Sequence, residues 1–289
     1  RLLVRPGDHV VVESPTFPGA IDAFARAGAR ITSIGTDAGG ARLGELATVL
    51  AEGDVRVVYT IPTCQSPTGT VMGNARRREL AELVDASAAW SIEDETLAPL
   101  CFAGPPPAPA ASYARSDRHV VVGSLSKQVW GGLRVGWLCA DEVLVERFSR
   151  LRAATDLGAP VHAQLVALAA LNGLEERTAA LRTELERRCD LLCELVQREL
   201  PEWTLRRPEG GLSIWCRLPV AAGDALATVA PQLGVGVLAG SSAAADDRGA
   251  DHVRLSFAAA PPRLELGVAR LAEAWRVASD AVVASRSVG

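Results

Sequence analysis

The chain has 289 residues, 48% of them hydrophobic and 22% charged, with a formal net charge of −4 and a pI near 5.7. This is globular composition, with ample material for a buried core, and it excludes the basic footprint of a nucleic-acid-binding surface in this stretch. No apolar run is long enough to span a bilayer as a helix, and no signal-peptide pattern is read, so a cytoplasmic location is expected.

Short apolar runs alternate with helical periodicity through the first half. Residues 9–13 (HVVVE), 30–35 (RITSIG), 55–62 (VRVVYTIP), 90–94 (WSIED) and 119–125 (HVVVGSL) read as buried strands. Residues 18–29 and the stretch beginning NARRREL read as helices, giving repeated β-α-β units and a mostly parallel sheet with helices on both faces. Residues 102–113 read as a Pro- and Ala-rich surface loop, and residues 131–136 as a glycine-rich turn. From 141 to 200 nearly everything reads as helix, broken around DLGAP and LNGL. Strands follow at 203–207, 211–217 and 253–258, then a closing helix from about residue 263. The expected class is α/β: a large domain over residues 1–145, a helical connector over 146–173 and a smaller α+β domain over 174–289. The chain begins with Arg1 and enters its first strand almost at once, so it is expected to be part of a longer one.

The six cysteines form no CxxC pair. Cys189 and Cys193 are one helical turn apart, but no His or second Cys pair lies near them in sequence. Reduced thiols are expected rather than a zinc site, and no metal is predicted. Of the 30 Lys and Arg residues, 29 are arginine and one is Lys127. An Arg-rich composition is what codon bias in a GC-rich genome produces, and one surviving lysine against it is informative. A guanidinium is never deprotonated at neutral pH and cannot make a Schiff base, whereas an amine can.

In open α/β sheets ligands bind beyond the carboxyl ends of the strands. The unusual residues fall there: ESPTFPG after the strand at 9–13, PTCQSPTG after 55–62, EDET at 90–94, and SLSK after 119–125. An aldehyde cofactor with a phosphate tail would use Lys127 for its carbonyl and Arg134 for its phosphate. Asp94 ends an apolar strand, where a carboxylate is costly without a cationic partner, and a pyridine ring nitrogen is such a partner. The alternatives are a surface lysine, a structural arginine and a turn aspartate.

SLSKQVWGGLRVGW, TIPTCQSPTGTVM followed by RRREL, SIEDE, ESPTFPG and HVRLSFA resemble, in order and spacing, the motifs of fold-type-I, class I and II aminotransferases, which use pyridoxal 5′-phosphate. QSPTG with RRREL, SLSK with WGGLRVGW, and LRAATDLGAPVHAQLV further resemble the aminotransferase-like domain of MocR-type regulators of the GntR family, in which a winged-helix domain precedes it. The resemblance implies that Lys127 forms the Schiff base and shuttles protons, and that Asp94 pairs with the ring nitrogen. It likewise implies that Ser124 and Arg134 hold the phosphate, that Phe17 stacks on the ring, and that Arg254 binds a substrate α-carboxylate. Two positions depart from the family: Ser66 stands where an asparagine usually faces the ring oxygen, and Thr96 where the regulators place a tyrosine. An amino acid or amine ligand and a homodimer are implied, with DNA contacted only through an N-terminal domain outside this chain. A regulator's effector domain and a free-standing aminotransferase both fit these residues. A cofactor-free relative would be expected to have lost Lys127 or Asp94.

Overall fold

The structure is a computed structural model that describes residues 2–286. Seven strands form the first sheet: β1 (His9–Ser14), β2 (Arg30–Asp37), β3 (Gly40–Ala41), β4 (Val55–Thr60), β5 (Trp90–Asp94), β6 (His119–Ser124) and β7 (Gly136–Cys139). Their order is β3-β2-β1-β4-β5-β6-β7. The five inner strands run parallel, while β3 and β7 close the two edges antiparallel. Every residue of β1 is buried, as a strand covered on both faces requires, and this is why its sequence is a continuous run rather than an alternation.

The helices of this layer are α1 (Pro18–Arg26), α2 (Leu43–Ala51) and α3 (Asn74–Asp85). Pro18 opens α1 at its first turn, where a missing N–H costs nothing. Leu43, Leu46 and Leu50 of α2 and Leu80 and Val84 of α3 pack on Val11 and Val58 of the sheet. The sheet's other face buries Val10, Val12, Val57, Tyr59 and Val120.

Three helices follow: α4 (Glu142–Thr155), α5 (Val161–Leu171) and α6 (Leu174–Glu199). The Asp141 side chain caps α4 by accepting from Val143 N at 2.9 Å. A second, antiparallel sheet is built from β8 (Thr204–Leu205), β9 (Ser213–Arg217), β10 (Leu238–Ala239) and β11 (His252–Ser256), in the order β10-β11-β9-β8. With α7 (Gly223–Val229) and α8 (Pro261–Arg286) it encloses its own core, in which Ile214, Cys216, Val253 and Leu255 meet Leu192 and Val196 of α6 and Leu271 and Trp275 of α8. Trp203 packs edge-on against Trp275 at 5.4 Å between centroids.

The structure corrects two sequence expectations. Residues 131–136 are not simply a turn: a short 3-10 turn at Gly131–Leu133 leads into β7, which pairs with β6. Residues 102–113 are not wholly a surface loop, because Ala110 is buried and the Ala110 and Ala111 N–H groups donate to Glu93 at 2.7 and 3.0 Å.

Candidate active site

The strand order reverses between β1 and β4: from β1 the chain proceeds to β2 on one side, and from β4 to β5 and β6 on the other. Loops leaving the carboxyl ends of two such neighbours diverge and open a crevice. The β1 loop carries Phe17 and the β4 loop carries Ser66. A cavity of about 410 Å³, the size of a small-molecule site, lies over this point and continues along β5 and β6 to the face of the second sheet. Phe17, Ser66, Asp94, Thr96, Ser124, Lys127, Arg134 and Arg254, all eight residues chosen from sequence, line it.

Their local settings differ. Asp94 is buried at the end of β5, where Tyr59 Oη donates to Oδ2 at 2.7 Å and Thr96 N donates to Oδ1 at 3.0 Å. Burial first, then the neighbouring Asp94 charge, push the Tyr59 phenol well above its ordinary value, so it stays a donor. Ser124 ends β6; its hydroxyl accepts from Ser126 N at 3.1 Å and donates to Val135 O at 3.3 Å. Lys127 follows on an exposed turn. Arg134 sits in the left-handed region at φ 55°, ψ 33°, a conformation that costs a non-glycine residue of order 1 kcal/mol and clusters at functional sites. Phe17 presents an exposed ring at the cavity mouth. Arg254 projects from β11 and is half-buried; burial holds its guanidinium below the usual arginine range.

Lys127, Arg134 and Arg254 make no ion pair among the described residues. Three cations left unpaired in one cavity, one of them half-buried, set up a strong preference for an anion.

The small sheet reaches the crevice through a close approach. Gly69 adopts φ +69°, and a Cβ there would fall 2.1 Å from Pro208 Cβ, so glycine lets the 66–70 loop and the 208–211 turn touch. Glu209 N donates to Gly69 O at 2.9 Å across that contact. Leu212, Ser213 and Ser256 thereby join the cavity wall.

Sequence reasoning missed Tyr59, whose hydroxyl lies inside what reads as an apolar strand. The signal available was its rarity, since the chain has two tyrosines. It missed Glu13 as well, which stands at the end of β1. This carboxyl group is fully buried and accepts from Ile61 N and Gln65 Nε2, each at 3.1 Å. Gln65 Nε2 also donates to Pro15 O at 2.6 Å. Glu13 and Gln65 thus tie together the loops that carry Phe17 and Ser66. Desolvation raises the Glu13 pKa to about 7.

A doubly wound sheet whose strand ends gather a lysine, a buried acid and one unpaired arginine, faced by Arg254 from the second sheet, suits an anionic, carbonyl-bearing cofactor. The chain belongs to the aminotransferase class I and II family, whose model matches residues 1–271. Aromatic-amino-acid aminotransferase 1 of Thermococcus litoralis is 29% identical over 94% of this chain and 68% of its own length. YisV, an uncharacterised HTH-type transcriptional regulator of Bacillus subtilis, is 30% identical over 74% of this chain, which spans 45% of that protein. Among solved structures, the α-aminoadipate aminotransferase LysN of Thermus thermophilus, complexed with N-(5′-phosphopyridoxyl)-L-leucine, superposes with a TM-score of 0.91 at 26% identity, covering 96% of this chain and 74% of its own. A Pyrococcus horikoshii kynurenine aminotransferase gives 0.88 at 30% identity. The cofactor implied is pyridoxal 5′-phosphate. The donor set fits it: an amine, an acid for the ring nitrogen, and unpaired cations for phosphate and carboxylate.

Proposed function

We propose that this chain is the effector-binding part of a MocR-type transcriptional regulator, which holds pyridoxal 5′-phosphate and recognises an amino acid-like ligand. When bound, the cofactor supplies an electron sink for chemistry at a ligand's α-carbon. Lys127 presents the primary amine that reaches the cofactor's carbonyl and afterwards carries a proton. Asp94, fixed by Tyr59 and by the Thr96 N–H, keeps the ring nitrogen protonated. Ser124 and Arg134 take the phosphate, and Phe17 covers a ring face. Ser66 and Thr96 offer hydroxyls to the ring oxygen, shorter groups than the family's usual asparagine and tyrosine. Arg254, half-buried and unpaired, takes a carboxylate in a bidentate fork.

The observation that carries this reading is the convergence of three unpaired cations and one held acid in a single cavity. The regulator assignment is supported by HTH-type relatives at 27–30% identity, including YisV and YdfD of Bacillus subtilis and YdcR and YjiR of Escherichia coli. This chain spans 45–54% of their lengths. DNA contact is then the task of sequence outside this chain. A second reading, a free-standing aminotransferase, is supported by enzymes that match over 94% of the chain at 29% identity. A homodimer is part of both readings; apolar side chains left exposed on and before α5, among them Leu157, Val161, Leu165 and Leu168, are suited to a partner surface.

The test is the visible absorbance of the purified chain with pyridoxal 5′-phosphate, before and after a panel of amino acids. The regulator reading predicts a protein-bound band that shifts with a ligand and persists. Bleaching with stoichiometric and then continuing keto-acid release identifies the enzyme. Absence of any band contradicts both.

A further inference from the structure

Two cysteines in unrelated parts of the sequence meet behind the active-site cavity. Cys64 lies in the β4 loop, two residues before Ser66, and Cys101 follows the 3-10 turn after β5, five residues past Thr96. Their Sγ atoms are 3.2 Å apart, and both side chains are buried, at 0% and 3% exposure. Both are free thiols. Cys64 holds a left-handed backbone conformation, φ 53°.

The surroundings keep the two sulfurs together. The Thr63 hydroxyl donates to Glu95 at 2.8 Å, tying the residue before Cys64 to the β5 turn. From the far side the 208–211 turn packs down: Cys101 pairs with Gly210 in an isolated antiparallel bridge, and Gly211 N donates to Leu100 O at 3.2 Å. A Cβ at Gly210 would fall 2.4 Å from Cys64 Sγ, so glycine there lets the turn cap the pair. The thiols are thus held in contact by three backbone segments, and a bond between them requires the sulfurs to approach by only about 1 Å, to the usual S–S distance of about 2.0 Å.

We propose that Cys64 and Cys101 form a modification site, at which an oxidant of the peroxide class converts the two thiols into a disulfide that joins the Ser66 loop to the segment following Thr96. Of the two, Cys101 is the attacking sulfur. The hydrogen bond from Cys64 and then the Arg77 guanidinium hold its thiol below the ordinary cysteine range, while that bond and burial push Cys64 up. The Cys101 thiolate attacks one peroxide oxygen and the O–O bond breaks. Sulfur keeps that oxygen as a sulfenic acid, and the other leaves as hydroxide, which the thiol's proton converts to water. Cys64 then displaces hydroxide from the sulfenic sulfur, its own proton completing the second water. In sum, two thiols and one hydrogen peroxide give one disulfide and two waters, with the electron pair passing from sulfur to oxygen. Burial excludes bulky disulfide oxidants.

Cys139 provides an internal control. Cys139 is exposed on β7, and Cys189 and Cys193 share α6 with Sγ atoms on consecutive turns. The experiment treats the reduced chain with hydrogen peroxide, alkylates the remaining thiols and maps the linkages by peptide mass spectrometry. It needs no cofactor, so its outcome is independent of the function proposed above. The expected result is a peptide pair joined through Cys64 and Cys101, lighter by both thiol hydrogens. That link should be reversed by dithiothreitol, lost in Cys64→Ser and in Cys101→Ser, and retained in Cys139→Ser. Recovery of both thiols as alkylated residues, or of either as an unlinked sulfinic acid, overturns the proposal.

Discussion

Glu13 is a carboxyl group that the fold keeps away from water, and donors from the loop after β4 share its Oε2. Its folded pKa of about 7, against 4.5 for an ordinary glutamate, has a definite linkage sign. An acid whose pKa is raised by folding stabilises most below its unfolded value, and that contribution is lost as pH rises through the folded value. Glu95, pushed to about 8 by burial and by the neighbouring Glu93 charge, acts in the same direction over a slightly wider window. The melting temperature should therefore fall from pH 5 to pH 8. Glu13→Gln keeps an acceptor for Ile61 N while removing the titration, and should flatten the part of the slope between pH 5 and pH 7, worth about 2 kcal/mol. Thermal unfolding across that range in both proteins checks this; identical slopes contradict a buried, protonated Glu13. At this scale the site was legible where chemistry forces rare residues together. Lys127 stands alone among 29 arginines, and Asp94 ends an apolar strand. Tyr59 and Glu13 were hidden because a polar atom at a strand end looks, in sequence, like the normal boundary of a buried run. Only the packing reveals what it touches.

Among the elements, α3 shows how a charged helix can be anchored in a core. Arg77 is fully buried; its guanidinium lies 3.2 Å from Glu95 and 3.6 Å from Glu93. It also donates to Met72 O, Pro62 O and the Thr63 hydroxyl at 2.7 to 2.9 Å. The guanidinium thus stitches α3 to the β4 loop and the end of β5, one layer beneath the cofactor residues. Two carboxyl groups share it, and burial with the Glu93 charge pushes the Glu95 carboxyl up to about 8. Arg77→Met removes the only cation facing both acids among the described residues and should destabilise by about 3–5 kcal/mol. Arg76→Met, one position along and bonded to Asp37 at the surface, should cost under about 1 kcal/mol. Urea unfolding of the two variants checks the contrast, and equal losses contradict it. RRREL lies in a stretch whose periodicity reads as helix, and nothing in that periodicity distinguishes Arg77 from its neighbours. The inner strands were legible because burial on both faces writes itself as an unbroken apolar run. The two-residue strands β3, β8 and β10 carry too little pattern to be read, and β8 is shorter than the 203–207 run suggests. The edge strand β7 reads as a turn because Gly136 begins it, where a Cβ would fall 2.7 Å from Gly123 O.

For the whole molecule, the sheets divide the work. The doubly wound sheet supplies Asp94, Ser124, Lys127 and Arg134 from one end of its strands. The antiparallel sheet brings Arg254 from the opposite wall, so the cavity exists only where the two meet. A ligand bridging a cofactor on one sheet and Arg254 on the other would bias their separation, which is how binding in this domain could be felt elsewhere in a longer protein. No helix among the described residues is long and apolar enough to cross a membrane. The order of motifs along the chain made the fold class readable, but the choice between regulator and enzyme was not, since both use the same pocket. The central claim is that Lys127 is the amine this pocket is built around. The most direct test incubates wild type and Lys127→Arg with pyridoxal 5′-phosphate, reduces with borohydride and maps the modified peptide. The account predicts a single fixed adduct on Lys127 in the wild type and none in the variant, which should retain the wild-type circular dichroism. An adduct that persists in Lys127→Arg, or one that maps to the chain's N-terminal amine in both proteins, would contradict it.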